Sequence, residues 1–164
     1  MERWTCPNCD RDFGRVNQGH MCSPGMSLEE YFAEAKPWER PIYDVVAGHI
    51  TGLGDVIIDP IAMGIMFKNG PMLCELRAKT KWTALGFSLR RKLETGRLSR
   101  KVVDYNNGKF FHVINVNDPA QIDDEVLGWL TEAFHVAGGT QPPDPVAGGD
   151  GMVPDDIDLD DELF

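Results

Sequence analysis

Cys6-Pro7-Asn8-Cys9, followed after ten intervening residues by His20-Met21-Cys22, constrains this chain more than any other feature. Two thiols on a tight loop, with an imidazole and a third thiol one residue apart, make a soft-to-borderline donor set with no spare carboxylate. Such a set closes a tetrahedral site. The spacing therefore predicts one structural Zn2+ on Cys6, Cys9, His20 and Cys22, not a catalytic zinc with an open position. So short a segment has little core beyond Trp4, Phe13 and Val16, so its folding free energy must come largely from the metal, about 10–16 kcal/mol in finger peptides. Disulfides are the poorer reading of these cysteines, because the two-residue gap beside a histidine suits a metal in a reducing compartment. Cys74 lies in an apolar alternation and reads as a small buried hydrophobe.

The ligand spacing also limits what the head can do. DNA-reading fingers have about twelve residues before the first histidine and three to five between the last two ligands. Here the gaps are ten and one, which leaves no room for a full recognition helix. Arg11, Arg15, Asn17 and Gln18 are candidates for phosphate or base contact. Asp10, Asp12 and the net negative charge of a zinc bound by three thiolates argue against it.

Charge divides the rest of the chain. The formal net charge is −10, from 16 bases and 26 acids, yet eight of those acids fall within residues 139–164, where there is no base. Residues 1–138 are thus nearly neutral, with 16 bases and 18 acids. Within them, residues 68–109 hold eleven bases and three acids, whereas residues 26–67 hold two bases and seven acids. The protein is polarised and not simply acidic. No apolar run approaches the roughly 20 residues of a membrane span, and the opening Met1-Glu2-Arg3-Trp4 is unlike a signal peptide, so the expectation is a cytoplasmic protein without membrane contact.

Periodicity then orders the middle. Ser27 with Glu30 forms a capping box for a helix over 28–35, which Pro37 stops. Ile42, Val45, Val46, His49, Ile50 and Leu53 recur at helical spacing and predict a second helix over 41–53. Strands follow: Ile61, Met63, Ile65 and Phe67 share one face, Asn69-Gly70 turns the chain, and Met72, Cys74, Leu76 and Ala78 alternate with Leu73, Glu75, Arg77 and Lys79. Residues 82–90 repeat that division, and 102–105 with 110–116 make a final hairpin around Asn106-Asn107-Gly108. Asp118, Pro119 and Gln121 cap a closing helix whose stripe is Ile122, Val126, Trp129, Leu130, Ala133 and Phe134.

The fold class expected is α+β: an antiparallel sheet of about five or six strands with helices on one face, a zinc knuckle before it and a disordered acidic tail after it. The domain boundaries expected are 1–25 for the finger, 26–137 for the α+β domain and 138–164 for the tail.

The head pattern Trp4-Thr5-Cys6-Pro7-x-Cys9-x-Arg11-x-Phe13-x-Arg15-x-Asn17-Gln18-x-His20-x-Cys22 belongs to a longer match. With Leu28-Glu29-Glu30-Tyr31-Phe32, Ile65-x-Phe67 and Phe111-His112-Val113, the chain resembles bacterial proteins carrying domain-of-unknown-function family 5655, over about residues 1–137. That resemblance implies no established activity and frequent fusion to other modules. The acidic tail lies outside its pattern.

Catalysis needs a nucleophile with a base, paired carboxylates or a phosphate cradle. Gly52-x-Gly54 ends a helix where a phosphate loop would open one. His112 alternates with Phe110, Ile114 and Val116 on a core face and reads as a buried imidazole; an enzyme with a pocket near His112 is the alternative. The leading expectation is a non-enzymatic, zinc-binding, nucleic-acid-associated or adaptor protein. Arg77, Lys79, Arg90, Arg91, Lys92, Arg97, Arg100 and Lys101 would contact RNA or DNA phosphates, with Trp82 and Tyr105 stacking on bases. Asp160-Asp161-Glu162-Leu163-Phe164 resembles the acidic tip of bacterial single-stranded-DNA-binding proteins and the end of sliding-clamp-binding peptides, which implies docking of a protein partner. The same acids have a second expected role, masking the basic surface.

Overall fold

The computed structural model describes residues 3–140 of the 164. Of the expected disordered tail 138–164, Gly138 instead completes the closing helix and Gly139 caps it; the reading of residues 141–164 as disordered, and the partner-docking residues Asp160, Asp161, Glu162, Leu163 and Phe164, lie outside the described residues.

Two short strands, β1 (Trp4–Thr5) and β2 (Asp12–Phe13), pair antiparallel to form the head. Ser27 then opens α1 (Leu28–Ala33) through the expected box: its Oγ accepts from the Glu30 amide at 3.0 Å, and the Glu30 carboxylate accepts from the Ser27 amide at 2.8 Å. This helix stops short of residue 35, because Glu34 already leaves helical angles at φ −113° and ψ 12°. The second helix, α2 (Glu39–Thr51), starts two residues before Pro41. The proline sits in its first turn, where the amide it lacks has no intrahelical partner to lose. Glu39 anchors the join, accepting from the Lys36 amide at 2.8 Å and the Tyr31 hydroxyl at 3.2 Å.

Six antiparallel strands follow: β3 (Ile57–Ile61), β4 (Gly64–Lys68), β5 (Met72–Ala78), β6 (Thr83–Leu89), β7 (Val103–Asp104) and β8 (Phe110–Val116). Their order across the sheet is β3-β4-β5-β6-β8-β7. The stretch from Ile61 to Phe67, expected as one strand, is instead part of a hairpin. Ile61 pairs with Gly64 across Ala62-Met63, and Met63 is 44% exposed at the turn. Pro60 is tolerated within β3 because an edge strand does not need every amide.

The closing helix also differs from expectation. Asp118 and Gln121 do form a capping box, but around a single 3-10 turn (Pro119–Gln121). Asp123 then caps the helix proper, α3 (Asp124–Gly138), by accepting from the Val126 amide at 3.1 Å. Val126, Trp129, Leu130, Ala133, Phe134 and Ala137 are buried along one stripe of α3. They pack with Ile42, Val46 and Ile50 of α2 on the sheet face formed by Ile65, Phe67, Cys74, Leu76, Leu85, Phe87, Leu89, Ile114 and Val116. Both long helices therefore lie on one side. The other face carries only a small apolar cluster of Ala84, Phe111 and Val113, edged by Met72 and Val103. Gly86 belongs to that face: a Cβ there would lie 2.3 Å from Cζ of Phe111, so the phenyl ring lies directly on the strand.

Candidate metal centre and nucleic-acid interface

The 6–9 loop connects β1 to β2 and turns back on itself. The Cys6 amide donates to the Arg11 carbonyl at 2.9 Å, the Asp10 amide donates to the Cys6 carbonyl at 2.8 Å, and Asp10 takes φ 58°. Cys6 and Cys9 are thereby turned toward His20 and Cys22. The four donor atoms all lie within 4.8 Å of one another. Cys6 Sγ is 3.9 Å from Cys22 Sγ, and His20 Nε2 is 3.5 Å from Cys9 Sγ and 3.4 Å from Cys22 Sγ. A tetrahedral zinc with Zn–S of about 2.3 Å and Zn–N of about 2.0–2.1 Å requires S···S edges of about 3.8 Å and S···N edges of about 3.6 Å. The cluster can hold a metal ion, and its dimensions are compatible with zinc.

Neighbouring groups support that use. His20 Nδ1 lies 2.7 Å from the Gln18 carbonyl, which fixes the tautomer and turns Nε2 to the cluster. Burial works against the Cys6 thiolate, but hydrogen bonds from the backbone of Asn8 and Cys9 outweigh it and bring the thiol down to about 6. Phe13 forms the inner wall: it is buried and its ring stacks on His20 at 4.0 Å. Val16, expected in this small core, is 61% exposed.

The head is fastened to the sheet by charges that periodicity does not reveal. Arg11, Asp59 and Lys68 are all buried, at 7%, 6% and 3% exposure. Asp59 Oδ2 accepts from Arg11 Nε at 2.9 Å and from Lys68 Nζ at 2.5 Å, and Arg11 Nη2 lies 2.7 Å from it. Arg11 Nη1 also donates to the Met21 carbonyl at 3.1 Å, inside the ligand loop. Lys68 Nζ sits 3.7 Å from the Phe13 ring centroid and donates to the Asp12 carbonyl at 3.2 Å. A stack thus runs from His20 of the cluster through Phe13 to an ammonium on β4. Arg11, a candidate for phosphate contact, is committed to this triad instead. Only Asp59 and Lys68, charged residues inside strands next to apolar neighbours, hinted at it.

A second feature occupies the sheet face left bare by the helices. A groove of about 530 Å³ is lined by Glu75 and Arg77 of β5, Lys79 just beyond that strand, Trp82, the Ala84–Phe111–Val113 floor, and Arg100 and Tyr105 from the segment carrying β7. Trp82 is 38% exposed and Tyr105 48%, unusual values for rings this large beside an apolar floor. Tyr105 leans on Phe111 with centroids 6.1 Å apart. Arg77 pairs with Glu75 inside the groove, while Lys79 and Arg100 are exposed.

The eight basic residues singled out from the sequence therefore divide. Arg77, Lys79 and Arg100 meet in the groove. Arg91 is paired with Glu132 of α3 at 3.1 Å, and Arg97 holds Asp123 at 3.0 Å and Glu125 at 2.7 Å while lying over Trp129. These two brace the 90–101 loop against α3. Arg90, Lys92 and Lys101 are exposed along that loop. His112 is wholly buried; its Nε2 accepts from the Leu93 amide at 3.0 Å and its ring stacks on Phe87. Burial brings its pKa down to about 4, so it is a neutral acceptor bracing the 90–101 loop. Cys74 is likewise buried, its thiol pushed well above the ordinary range by desolvation. Among the described residues, no helix is long and apolar enough to cross a membrane.

Residues 28–137 match the family described as Domain of unknown function (DUF5655). No curated protein and no solved structure matches the chain.

Proposed function

Because the chain belongs to the DUF5655 family, whose description names no chemistry, we propose a function from the site itself: a non-enzymatic, zinc-stabilised protein that binds single-stranded nucleic acid across the open sheet face. The observation that carries this reading is the groove where Trp82 and Tyr105, both exposed, stand beside Lys79, Arg100 and Arg77 over an apolar floor. Bases offer a flat face to Trp82 and Tyr105 whatever their sequence, and phosphates are held by Arg77, Lys79 and Arg100. Glu75 keeps Arg77 aimed into the groove. Preference among sequences is weak, since stacking and phosphate contact dominate. Zinc is the metal at Cys6, Cys9, His20 and Cys22, in a reducing compartment such as the cytoplasm, and the segment 160–164 docks a protein partner, which makes the chain an adaptor.

The test is fluorescence anisotropy of the zinc-loaded chain with labelled RNA and DNA single strands and a duplex control. Three phosphate contacts on a single strand give a salt slope of about −2, so binding weakens roughly 20-fold between about 50 and 200 mM salt. Trp82→Ala and Tyr105→Ala each cost about 1–3 kcal/mol of affinity. Absent binding at low salt, or binding insensitive to salt and to both aromatic substitutions, would refute the reading.

A further inference from the structure

At the opposite end of β5 from the groove, a second cavity of about 520 Å³ is lined by Arg15 of the head, Lys109 of the turn into β8, the 69–71 turn, and the last residues of α3, Ala137 and Gly138. Its lining contains no carboxylate. Arg90 stands beside it, with a guanidinium nitrogen 3.9 Å from where a Cβ on Gly108 would be. Among the described residues no ion pair joins Arg15, Arg90 or Lys109 to an acid, whereas Arg91 and Arg97 nearby are both paired. Burial, then Arg90 and Arg15, lower the pKa of Lys109, as expected of crowded cations without a counter-charge. The C-terminal end of α3 offers only about half a negative charge. Three positive charges converge here on a concave surface and are left largely uncompensated.

The chain itself supplies an anion at this place. Gly138 closes α3 on the cavity wall, Gly139 takes φ 74° to end the helix, and the Thr140 amide donates to the His135 carbonyl at 2.9 Å, so the described residues end beside the cavity. Fifteen residues beyond Thr140 begins the run Asp155-Asp156-Ile157-Asp158-Leu159-Asp160-Asp161-Glu162, six carboxylates with no base. A connection of that length reaches at most about 50 Å in any conformation. The carboxylates are thus tethered to the same chain as the cavity, and their meeting is intramolecular.

We infer that Arg15, Lys109 and Arg90 form an anion-binding site whose occupant is this chain's own acidic segment, residues 155–162. The contact is intramolecular and polyvalent, carboxylate against guanidinium and ammonium, and it is screened by salt. It occupies the sheet end away from Trp82 and Tyr105, so it keeps the acidic segment off the groove's floor and presents it next to the head. The inference does not depend on what the groove binds.

The experiment records amide resonances of the isotopically labelled, zinc-loaded full chain and of a full-chain variant in which Asp155, Asp156, Asp158, Asp160 and Asp161 become Asn and Glu162 becomes Gln. At about 20 mM salt the resonances of Arg15, Gly70 and Lys109 differ between the two chains, and near 1 M salt, where the screening length falls to about 3 Å, they coincide. Introducing Arg15→Gln and Lys109→Gln, both outside the core, abolishes the low-salt effect of the tail substitutions on Gly70. Coincident spectra at low salt would overturn the inference. So would a difference confined to Trp82, Arg100 and Tyr105, which would put the acidic segment in the groove. No nucleic acid is present, so failure here and failure of the groove to bind nucleic acid are separate results.

Discussion

Asp59→Asn tests the joint between head and sheet. The substitution preserves shape and one acceptor oxygen while removing the single negative charge shared by Arg11 and Lys68, both less than a tenth exposed. Breaking a buried ion pair from one side typically costs about 3–5 kcal/mol, because the remaining charge stays desolvated without a partner. Two cations are stranded here, but the amide oxygen keeps one hydrogen bond, so a loss of about 3 kcal/mol is expected against a total stability of about 5–15 kcal/mol. With a urea m-value of about 1–3 kcal/mol/M, the unfolding midpoint of the zinc-loaded chain, followed by tryptophan fluorescence, falls by about 1–3 M. A pH signature accompanies it. Burial already lowers the Lys68 pKa, and the hydrogen bond and charge of Asp59 oppose that shift. Removing Asp59 lowers the folded-state pKa further, so the unfolded chain binds more protons over a wider range below about 10.4, and the stability of the variant rises with pH across that range more steeply than that of the native chain. A midpoint shift equivalent to less than about 1 kcal/mol, with no change in the alkaline slope, would refute the claim that the triad holds the head in place.

Chelating the metal removes a binding free energy of about 10–16 kcal/mol from the head, Cys22→Ser weakens that binding by removing one thiolate, and the amides of β1 and β2 lose their protection from hydrogen exchange on chelation; protection that survives chelation would contradict metal-dependent folding. His112, with its pKa lowered to about 4 by burial, stays neutral in the folded chain while its unfolded counterpart protonates below about 6.5, so stability falls by about 3 kcal/mol as pH drops from 6.5 to 4. His112→Gln retains an acceptor for the Leu93 amide and flattens that part of the pH–stability curve; an unchanged curve counts against the assignment. Gly86→Ala drives a methyl group into Phe111, with an expected cost of about 1–3 kcal/mol in thermal or urea unfolding and a displaced groove floor.

Residues read from local rules were legible. The capping box of Ser27 and Glu30 and the alternation of β5 and β6 follow from contacts within a few positions, and the grouping of Cys6, Cys9, His20 and Cys22 into one cluster follows from a spacing that suits a metal. The 57–68 hairpin was not legible, because Ala62-Met63 carries no Gly or Asn to mark a turn and the apolar alternation runs on across it. The cap read at Asp118, Pro119 and Gln121 is real but opens only a single 3-10 turn, and the helix proper starts at a second cap, Asp123, that was not read. The triad joins Arg11 to Asp59 across 48 positions, a distance at which no periodicity speaks. The crowding of basic residues between positions 90 and 101 overstated their unity, since Arg91 and Arg97 face α3 while Arg100 turns to the groove with Arg77 and Lys79 from another strand.

The position of the head against β3 bears on the chain's solubility. β3 is the outermost long strand of the sheet, the kind of border that invites pairing with another molecule. Here Gly25 bridges to Ile61, the Met26 amide donates to the Pro60 carbonyl at 3.2 Å, and Pro60 has no amide of its own to offer. The far border is only the two-residue β7. The finger's exit segment therefore works as a selvedge on the fabric of the sheet, and a metal held by Cys6, Cys9, His20 and Cys22 would also keep this border from fraying. Demetallated protein would be expected to self-associate through β3 before the rest of the domain has unfolded.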